Sequence, residues 1–326
     1  MAFLHTQSCE CLKTELLLFD VPPTQTTVES SHWVQYKPIS SLTDDSPIEF
    51  VCPGTSDEYM DLTHTMLSLR VTIKLNIDPK ELSDSAKEGI NFKGPVNNFM
   101  HSLFNQVDVF LNHKPVSQPN NAYAYRSYIE TLLNYSPAAK ESHLGTVLWH
   151  ADTAGKMDDL KEENEGLVAR RAAFFNDRVD LIGHLHCDVF SQDRLLLNGV
   201  ELGVRLVRSS DKFCLMDSTN HYAVHIDEAN LIIRRVKISP GVLLAHAKAL
   251  SKTTAKYPLT RVEVKALTKH KDSHGEVLDN IILGQLPQRV IISFVNNKAY
   301  NGDRLLNPFN FEHFNLNFLC LYLNGV

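Results

Sequence analysis

The sequence lacks the short motifs that mark most well-known enzyme classes. It has no Walker loop, G-x-G-x-x-G, H-E-x-x-H, G-x-S-x-G or protein-kinase motif set. No apolar run approaches the roughly 18 residues that a membrane-spanning helix needs. Glu10, Lys13, Glu15 and Asp20 interrupt the N-terminal stretch, so no secretion signal is expected. The sequence therefore predicts a protein that is made inside the cell and is not secreted.

Cysteine is sparse and shows no metal-binding spacing. The six cysteines include no C-x-x-C pair, which disfavours a zinc ribbon or a thioredoxin-type site. Cys9 and Cys11 are close enough to share a metal, but two ligands without nearby partners rarely form a site. Cys187 and Cys320 are interpreted as small apolar residues on strand faces.

The charge balance is slightly acidic. With 32 basic and 38 acidic residues, the formal net charge is −6. A general nucleic-acid-binding protein needs a clustered basic surface, so this balance argues against direct nucleic-acid binding. The 43% hydrophobic and 21% charged content is ordinary for a globular protein, and 326 residues suffice for one large domain or two medium ones.

Strict alternation of apolar and polar residues is the strongest positive signal. In the stretch 65–77, Leu67, Leu69, Val71 and Ile73 alternate with polar residues, which predicts a long strand with one buried face. The pattern returns at 99–104, 106–112, 179–190, 200–208, 222–227 and 230–238. Repetition of this kind indicates an all-β fold built as an antiparallel β-sandwich.

The pattern divides the chain into four parts. Residues 1–45 are expected to form an extended N-terminal arm, and residues 46–238 carry the main strand block. A helix is expected near 121–135, capped by Asn120 or Asn121. Ser239 and Pro240 begin a helix within a linker over 239–257. Alternation resumes within 258–326, at 261–267, 289–295 and 314–323.

The sharpest chemical candidate is the pair His184 and His186. Two histidines two apart on a strand point to the same side and could share a metal, as in the cupin jelly rolls. Cupins also have a Glu shortly after the second His and a Gly six residues before the first, where this chain has Phe190, Ser191 and Arg178. A polar strand face is the favoured explanation of the pair, since both histidines alternate with apolar residues such as Leu185.

The other chemical candidates have simple structural explanations. The acid pairs Asp44-Asp45 and Asp158-Asp159 lie in loop-like sequence, and Asn134-Tyr135-Ser136 matches a glycosylation acceptor in a chain expected to remain inside the cell. Arg234, Arg235 and Lys237 lie on a predicted strand opposite Ile232, Val236 and Ile238, which predicts a solvated or interface face. We therefore expect no catalytic residue, no metal ligand and no cofactor.

A family resemblance is carried by segments along essentially the whole chain. The N-terminal segments are Phe3-Leu4-His5, Ser8-Cys9-Glu10-Cys11, Val21-Pro22-Pro23-Thr24-Gln25-Thr26, Pro47-Ile48-Glu49-Phe50 and Tyr59-Met60-Asp61-Leu62. The central segments are Gly94-Pro95-Val96-Asn97, His101-Ser102-Leu103-Phe104, Gln106-Val107, Tyr128-Ile129-Glu130-Thr131-Leu132-Leu133 and Asp193-Arg194-Leu195-Leu196-Leu197-Asn198-Gly199. The later segments are Ala245-His246-Ala247-Lys248-Ala249-Leu250, Gly284-Gln285-Leu286-Pro287 and Asn307-Pro308-Phe309-Asn310-Phe311. In these segments the chain resembles the double jelly-roll capsid proteins of Polinton (Maverick) virus-like transposons and adintoviruses.

The resemblance implies a structural, non-enzymatic protein. Such proteins are similar to adenovirus-type hexons, in which two jelly rolls stand side by side and three copies form a pseudo-hexagonal tile. It implies self-association as a homotrimer, contacts with other capsid proteins and no membrane partner. It also implies a place in the virion, with synthesis in the host cytoplasm and assembly in the nucleus. Two complete rolls need about sixteen strands. The sequence predicts fewer, so the second roll is expected to be incomplete.

Three alternatives remain open at this point. The chain could be a single jelly-roll penton protein whose roll closes without residues 258–326. It could also be a domesticated binding module that uses Trp33, Trp149 or Tyr222 as ligand anchors. The cupin-like metal enzyme is the least favoured of the three.

Overall fold

The computed structural model describes residues 16–19, 21, 24–44, 46–76, 92–174, 176–269, 277–282 and 284–322. Ten strands lie in these ranges: β1 Val28–Tyr36, β2 Ile48–Cys52, β3 Glu58–Leu75, β4 Lys93–Pro95, β5 Phe104–Leu111, β6 Lys114–Pro115, β7 Arg178–His184, β8 Leu202–Arg208, β9 Leu215–Asp217 and β10 Tyr222–Ile238. No helix in these ranges is long and apolar enough to cross a membrane.

The strand order is that of a jelly roll. One four-stranded sheet has the order β1-β10-β3-β7 and the other has the order β2-β8-β5-β6, while β4 and β9 form a separate small pair. All pairings are antiparallel. With the small pair set aside, the eight strands in chain order give sheets 1-8-3-6 and 2-7-4-5. This interleaving of two Greek keys defines a jelly roll and confirms the predicted all-β sandwich.

Short helices occupy the connections. They are α1 Phe99–Ser102, α2 Tyr123–Asn134, α3 Pro137–Lys140, α4 Glu165–Ala172, α5 Asp211–Cys214, α6 Pro240–Leu250 and α7 Asn297–Asn301, with 3₁₀ turns at His143–Val147 and Asp188–Ser191. The predicted helix after Ser239 is confirmed as α6. The capping residue of α2 was predicted wrongly, because this position is Ala122, whose backbone N–H donates to Asn120 Oδ1 at 3.0 Å.

The core lies between the two sheets and is built from the alternating residues. Leu67, Leu69 and Val71 on β3 are buried, as are Leu231 and Ile233 on β10. β3 and β10 pair over most of their length, with shifts in register at Ile226/Glu228 and Ile232/Arg234. The long central strands therefore arise from the period-2 pattern, and the bulges change which side chains face inward.

One predicted strand is a helix instead. The stretch 99–104 was expected to be β, but Phe99–Ser102 forms α1 and only Phe104 belongs to a strand. Asn98 adopts a left-handed backbone conformation with φ 55°, and Ser102 Oγ donates to the carbonyls of Asn97 and Asn98 at 3.1 and 3.0 Å. These local side-chain bonds favour a helical turn that hydrophobic periodicity does not reveal.

The N-terminal arm reaches the sandwich earlier than expected. Val28–Tyr36, inside the predicted arm over 1–45, is the edge strand β1 and pairs with β10. Six of its nine residues are exposed and none is buried, so it lacks the buried alternating face that marked the other strands. Residues 1–15 lie outside the described part of the chain.

The strands predicted at 261–267, 289–295 and 314–323 are not formed in the described residues. Beyond Leu250 these contain α7 and one isolated bridge, between Val295 and Phe311. A strand forms only where a neighbouring strand satisfies its backbone N–H and C=O groups. The alternating stretches have the side-chain pattern of strands but no such neighbour within the described ranges.

A buried ion pair fixes the loops on one side of the roll. The side chains of Arg170 and Asp152 are 0% and 1% exposed, and Arg170 Nη2 donates to Asp152 Oδ1 at 2.5 Å. Arg170 Nε also donates to the Pro95 carbonyl at 2.8 Å, and its Nη1 donates to the His150 carbonyl. Every nitrogen of the guanidinium therefore has an acceptor, as burial of a charge requires.

Replacement of Arg170 by methionine is expected to destabilise the roll strongly. The Arg170→Met variant keeps an unbranched side chain but leaves the Asp152 carboxylate buried without its cation, at a cost of about 3–5 kcal/mol in unfolding free energy. Urea unfolding followed by intrinsic fluorescence measures the loss. The control is Lys156→Met, which removes the cation of the solvent-exposed Lys156–Glu163 pair and should leave the unfolding midpoint unchanged. Equal midpoints for the two variants would contradict the role of Arg170.

Candidate functional site

The two histidines of the candidate pair have separate hydrogen-bond partners. β7 ends at His184, so His186 lies beyond the strand. His184 Nδ1 lies 3.1 Å from the Thr65 carbonyl, and His186 Nδ1 lies 2.8 Å from Glu130 Oε2. Among the described residues, no group of three or more His, Cys, Asp or Glu side chains is placed to hold a metal ion. Each histidine bonds instead to its own neighbour.

A third histidine, which the sequence did not indicate, completes a buried cluster. His101 on α1 is 2% exposed and stacks edge-on against His186 with ring centroids 4.8 Å apart. Its Nδ1 lies 3.0 Å from the Tyr123 hydroxyl, which also accepts the His186 backbone N–H at 3.2 Å. Burial, with the adjacent His186 and His184, holds the pKa of His101 well below its ordinary value. His101 is therefore neutral near pH 7.

Charged residues continue this cluster toward the segment after the linker. Arg126 on α2 donates to Glu130 Oε1 at 2.9 Å and to Asp188 Oδ1 at 2.6 Å. Burial alone would raise the pKa of Glu130, but the bond to His186 and the charge of Arg126 lower it. Asp188 Oδ1 also accepts the Val262 backbone N–H at 3.3 Å. The network thus links α2 to the chain beyond residue 257. Its charged side chains pair with one another and with backbone groups, which is typical of a structural contact.

The other predicted acidic candidates also have structural partners. Asp44 pairs with Arg208 at 2.6 Å and with His225 at 2.7 Å, while Asp45 lies outside the described residues. Asp158 accepts the Asn307 backbone N–H at 2.6 Å. Ser136 of the glycosylation-like tripeptide accepts the Ala139 N–H at 3.3 Å and caps α3. Cys9 and Cys11 also fall outside the described residues.

The basic strand residues do not form one solvated face. Arg235 is 3% exposed and donates to the Tyr36 hydroxyl at 2.7 Å and to Thr55 Oγ1 at 3.0 Å. Arg234 pairs with Asp61 at 3.4 Å. The prediction of a solvated or interface face was therefore wrong for Arg235, because Arg235 follows Leu231 and Ile233 in the inward-facing series of β10.

Two of the three proposed aromatic anchors are buried. Trp149 is 2% exposed and Tyr222 is 4% exposed, so both belong to the core. Trp33 on β1 is 49% exposed and remains available at the surface.

The most extensive contact of functional interest is made by residues 297–311, which we call the strap. Phe309 is 1% exposed and stacks on Tyr128 with centroids 4.1 Å apart and an interplanar angle of 3°. Tyr300 stacks on Tyr125 at 5.4 Å, and Phe213 meets Phe309 edge-on at 6.0 Å. The strap thus supplies aromatic rings to the core of the first roll.

Polar bonds fix the strap in register. Asn307 is fully buried and donates through Nδ2 to Asp152 Oδ2 at 3.1 Å, so it joins the buried ion pair. Asp158 accepts from Asn307 N and, at 3.0 Å, from Asn310 Nδ2. Arg304 pairs at 3.2 Å with Asp217, whose side chain is 0% exposed. These bonds join the strap to the buried carboxylates of Asp152 and Asp217 and to the loop residue Asp158. The strap is therefore fixed in one position against the roll.

Comparison with family models finds no match. A curated relative, the uncharacterized protein F54H12.2 of Caenorhabditis elegans, is 21% identical over 300 residues, covering 90% of this chain and 69% of its own.

Solved viral capsid structures show partial likeness. The Sputnik virophage structure matches with a TM-score of 0.47 and 13% identity, covering 72% of this chain and 53% of its own. The Faustovirus major capsid protein matches at 0.42 and 9%, covering 73% and 59%. The mavirus major capsid protein matches at 0.37 and 10%, covering 74% and 53%. This chain therefore spans little more than half the length of the solved chains that it matches.

Truncation of Phe309 is expected to weaken the whole first roll. Phe309→Ala removes a buried ring stacked on Tyr128 and should cost about 3–5 kcal/mol in unfolding free energy. Leu244→Ala on α6 is the control, because Leu244 is 77% exposed and its loss should leave the midpoint unchanged. Urea unfolding of both variants is the measurement, and an unchanged midpoint for Phe309→Ala would show that the strap is not part of the core.

Stability should fall on acidification below about pH 6.5 because of His101. The unfolded chain protonates this histidine near its ordinary pKa, whereas the folded chain binds the proton only at a much lower pH. Stability is therefore full above the unfolded pKa and is lost as pH falls toward the folded one. We expect the unfolding midpoint to drop between pH 7.5 and 5.5, and less so in His101→Gln.

The control for this effect is His113→Asn, which changes a side chain that is 87% exposed and should retain the full pH dependence. Asparagine tolerates the positive φ of that position. A pH dependence that is the same in His101→Gln as in the unchanged protein would contradict the assignment.

Proposed function

We propose that this chain is a structural subunit of a viral or virus-like capsid shell, with no catalytic role. The proposal rests on two observations taken together. The chain forms one complete jelly roll, and the strap of the following region packs into the core of that roll. A shell subunit needs a rigid sandwich and large surfaces for neighbouring subunits, and it needs no reactive group. The titratable residues of the candidate site are bonded to neighbours that fix loops, as a structural role requires.

The region after the linker is proposed to be part of a second jelly roll. Its segments 261–267 and 289–295 alternate in sequence, and most of their residues are exposed. Side chains such as Val290, Ile291 and Ile292 are 41–50% exposed, which is unusual for a run of aliphatic residues. These stretches are proposed to complete their sheets against further strands. The division into an arm, a first roll, a linker over 239–257 and a partial second roll is retained as a proposal.

The strap disfavours the single-roll penton alternative. That alternative needs a first roll that closes without residues 258–326. Phe309 and Asn307, however, are buried in the first roll itself, so its core includes side chains from the later region. A shell subunit with two connected rolls accounts for this contact directly.

The proposed partners are other copies of this chain, arranged as trimeric pseudo-hexagonal capsomers, and other capsid proteins. The family resemblance to Polinton and adintovirus capsid proteins supports this arrangement. It also supports a location in the virion after synthesis inside the host cell. The net charge of −6 agrees with a shell that does not itself bind nucleic acid.

The assembly state tests this proposal. The purified full chain, examined by light scattering after size-exclusion chromatography over a hundredfold range of concentration, is expected to form trimers. Electron microscopy of concentrated samples should then show three-fold tiles, because closed oligomers of this type pack into shells. A protein that stays monomeric throughout would overturn the proposal, and pentamers would favour the penton alternative.

A further inference from the structure

Within the described residues, the longest edge strand of the two sheets, β1, has no hydrogen-bonded neighbour on its outer side. The edge of β2 is covered, because the Glu49 carbonyl accepts the Ile39 N–H at 2.8 Å and the Glu49 N–H donates to Ser40 Oγ at 3.0 Å. The edge strand β6 has only two residues, and the 3₁₀ turn at His143–Val147 packs against β7. Exposed strand edges pair readily with other chains, so proteins usually cover or shorten them.

In the described part of the chain, β1 differs from these edges. It is nine residues long and contains no lysine, arginine or proline, the residues that commonly protect an edge. It pairs with β10 on one side. Within the described part of the chain, no backbone group pairs with residues 29–36 on the other side. The exposed Trp33 lies in the middle of this strand.

The same chain contains a free segment that suits this edge. Residues 317–322 are all exposed, with Phe318 at 75% and Tyr322 at 67%, and none of their backbone groups bonds to another described residue. The segment Asn-Phe-Leu-Cys-Leu-Tyr carries no charge and has apolar residues on both strand faces. Such a pattern is typical of a strand that is covered on both sides.

Residues 317–322 also differ from the other alternating stretches after residue 257 in lacking hydrogen bonds to other described residues. The stretch 261–267 is held by two bonds: the Val262 N–H donates to Asp188 Oδ1, and Asn120 Nδ2 donates to the Val264 carbonyl. The stretch 289–295 ends in the bridge between Val295 and Phe311. Residues 317–322 follow the strap and a turn in which the Leu316 N–H donates to the His313 carbonyl at 2.9 Å. Beyond this turn, no backbone hydrogen bond within the described residues holds the chain.

We propose that residues 317–322 of one copy add as a strand to the open edge of β1 in a second copy. The inference rests on the proposed shell function and names one of its subunit contacts. The segment carries no charge and Glu29 of β1 already pairs with Lys237 at 3.6 Å, so the new pairing buries no unpaired ion, and Trp33 gains aromatic neighbours across it. Because donor and acceptor lie at different places on the chain, the contact is head-to-tail. Three copies that close into a ring leave no such edge unpaired.

Disulfide trapping in the full chain tests this contact. Cys320 lies within the donor segment and is an exposed free thiol. Ser31→Cys and Gln35→Cys, made separately, place a partner thiol at two positions along β1, both exposed. Cys9 and Cys11 are replaced by serine in every variant, so that the N-terminal thiols do not contribute. Diamide oxidation at a concentration where the protein is oligomeric, followed by non-reducing electrophoresis, reads out the cross-link.

Covalent dimers and trimers are expected from at least one β1 variant, at ten times or more the yield of the control Asp180→Cys on the opposite edge strand. The added change Cys320→Ser should abolish them. Oligomers without enriched cross-linking would overturn this contact and leave the shell function standing. A cross-link within single chains would also overturn it, because the segment would then pair with its own β1. Monomers at every concentration would overturn both proposals.

Discussion

The need to satisfy one buried charge organises a large part of this structure. The guanidinium of Arg170 has no contact with solvent and is stable there because two backbone carbonyls and Asp152 accept all of its bonds. Asp152 in turn accepts from Asn164 on one side and from Asn307 on the other. A single ion pair thus fixes the start of α4, two loops and the strap. Charge satisfaction, rather than apolar burial alone, determines how the region after the linker meets the first roll.

The sandwich itself was accessible from sequence because burial in a sheet imposes a period of two. Residues on β3 and β10 follow that period over long stretches, and their inner faces are buried as expected. β1 escaped prediction because no residue of this edge strand is buried, so it has no such pattern. The stretches after the linker show the opposite case, in which the pattern is present but no neighbouring strand is described. Alternation in the sequence therefore indicates which face of a strand is buried. It does not indicate whether the strand has a hydrogen-bonded neighbour.

The candidate site was less predictable than the fold, for a different physical reason. Nothing near His101 or Arg170 in the sequence distinguishes a buried, bonded side chain from an exposed one. Their roles depend on contacts with Tyr123 and Asp152, which the topology brings close. Phe309 was noted only within a family-like segment, and its stacking on Tyr128 depends on a path that no local rule specifies. Contacts between distant segments need the three-dimensional fold.

The pairing of β1 with β10 has a consequence for synthesis. Val28 pairs with Ile238, so the first strand of the sheet has no partner until the last strand has left the ribosome. At translation rates of about 5–20 residues per second, this interval is roughly ten to forty seconds. The strap emerges later still, and the core is incomplete until then. Nascent chains therefore expose unpaired strands for a period that is long compared with hairpin formation, and their yield should depend on chaperones that shield such strands.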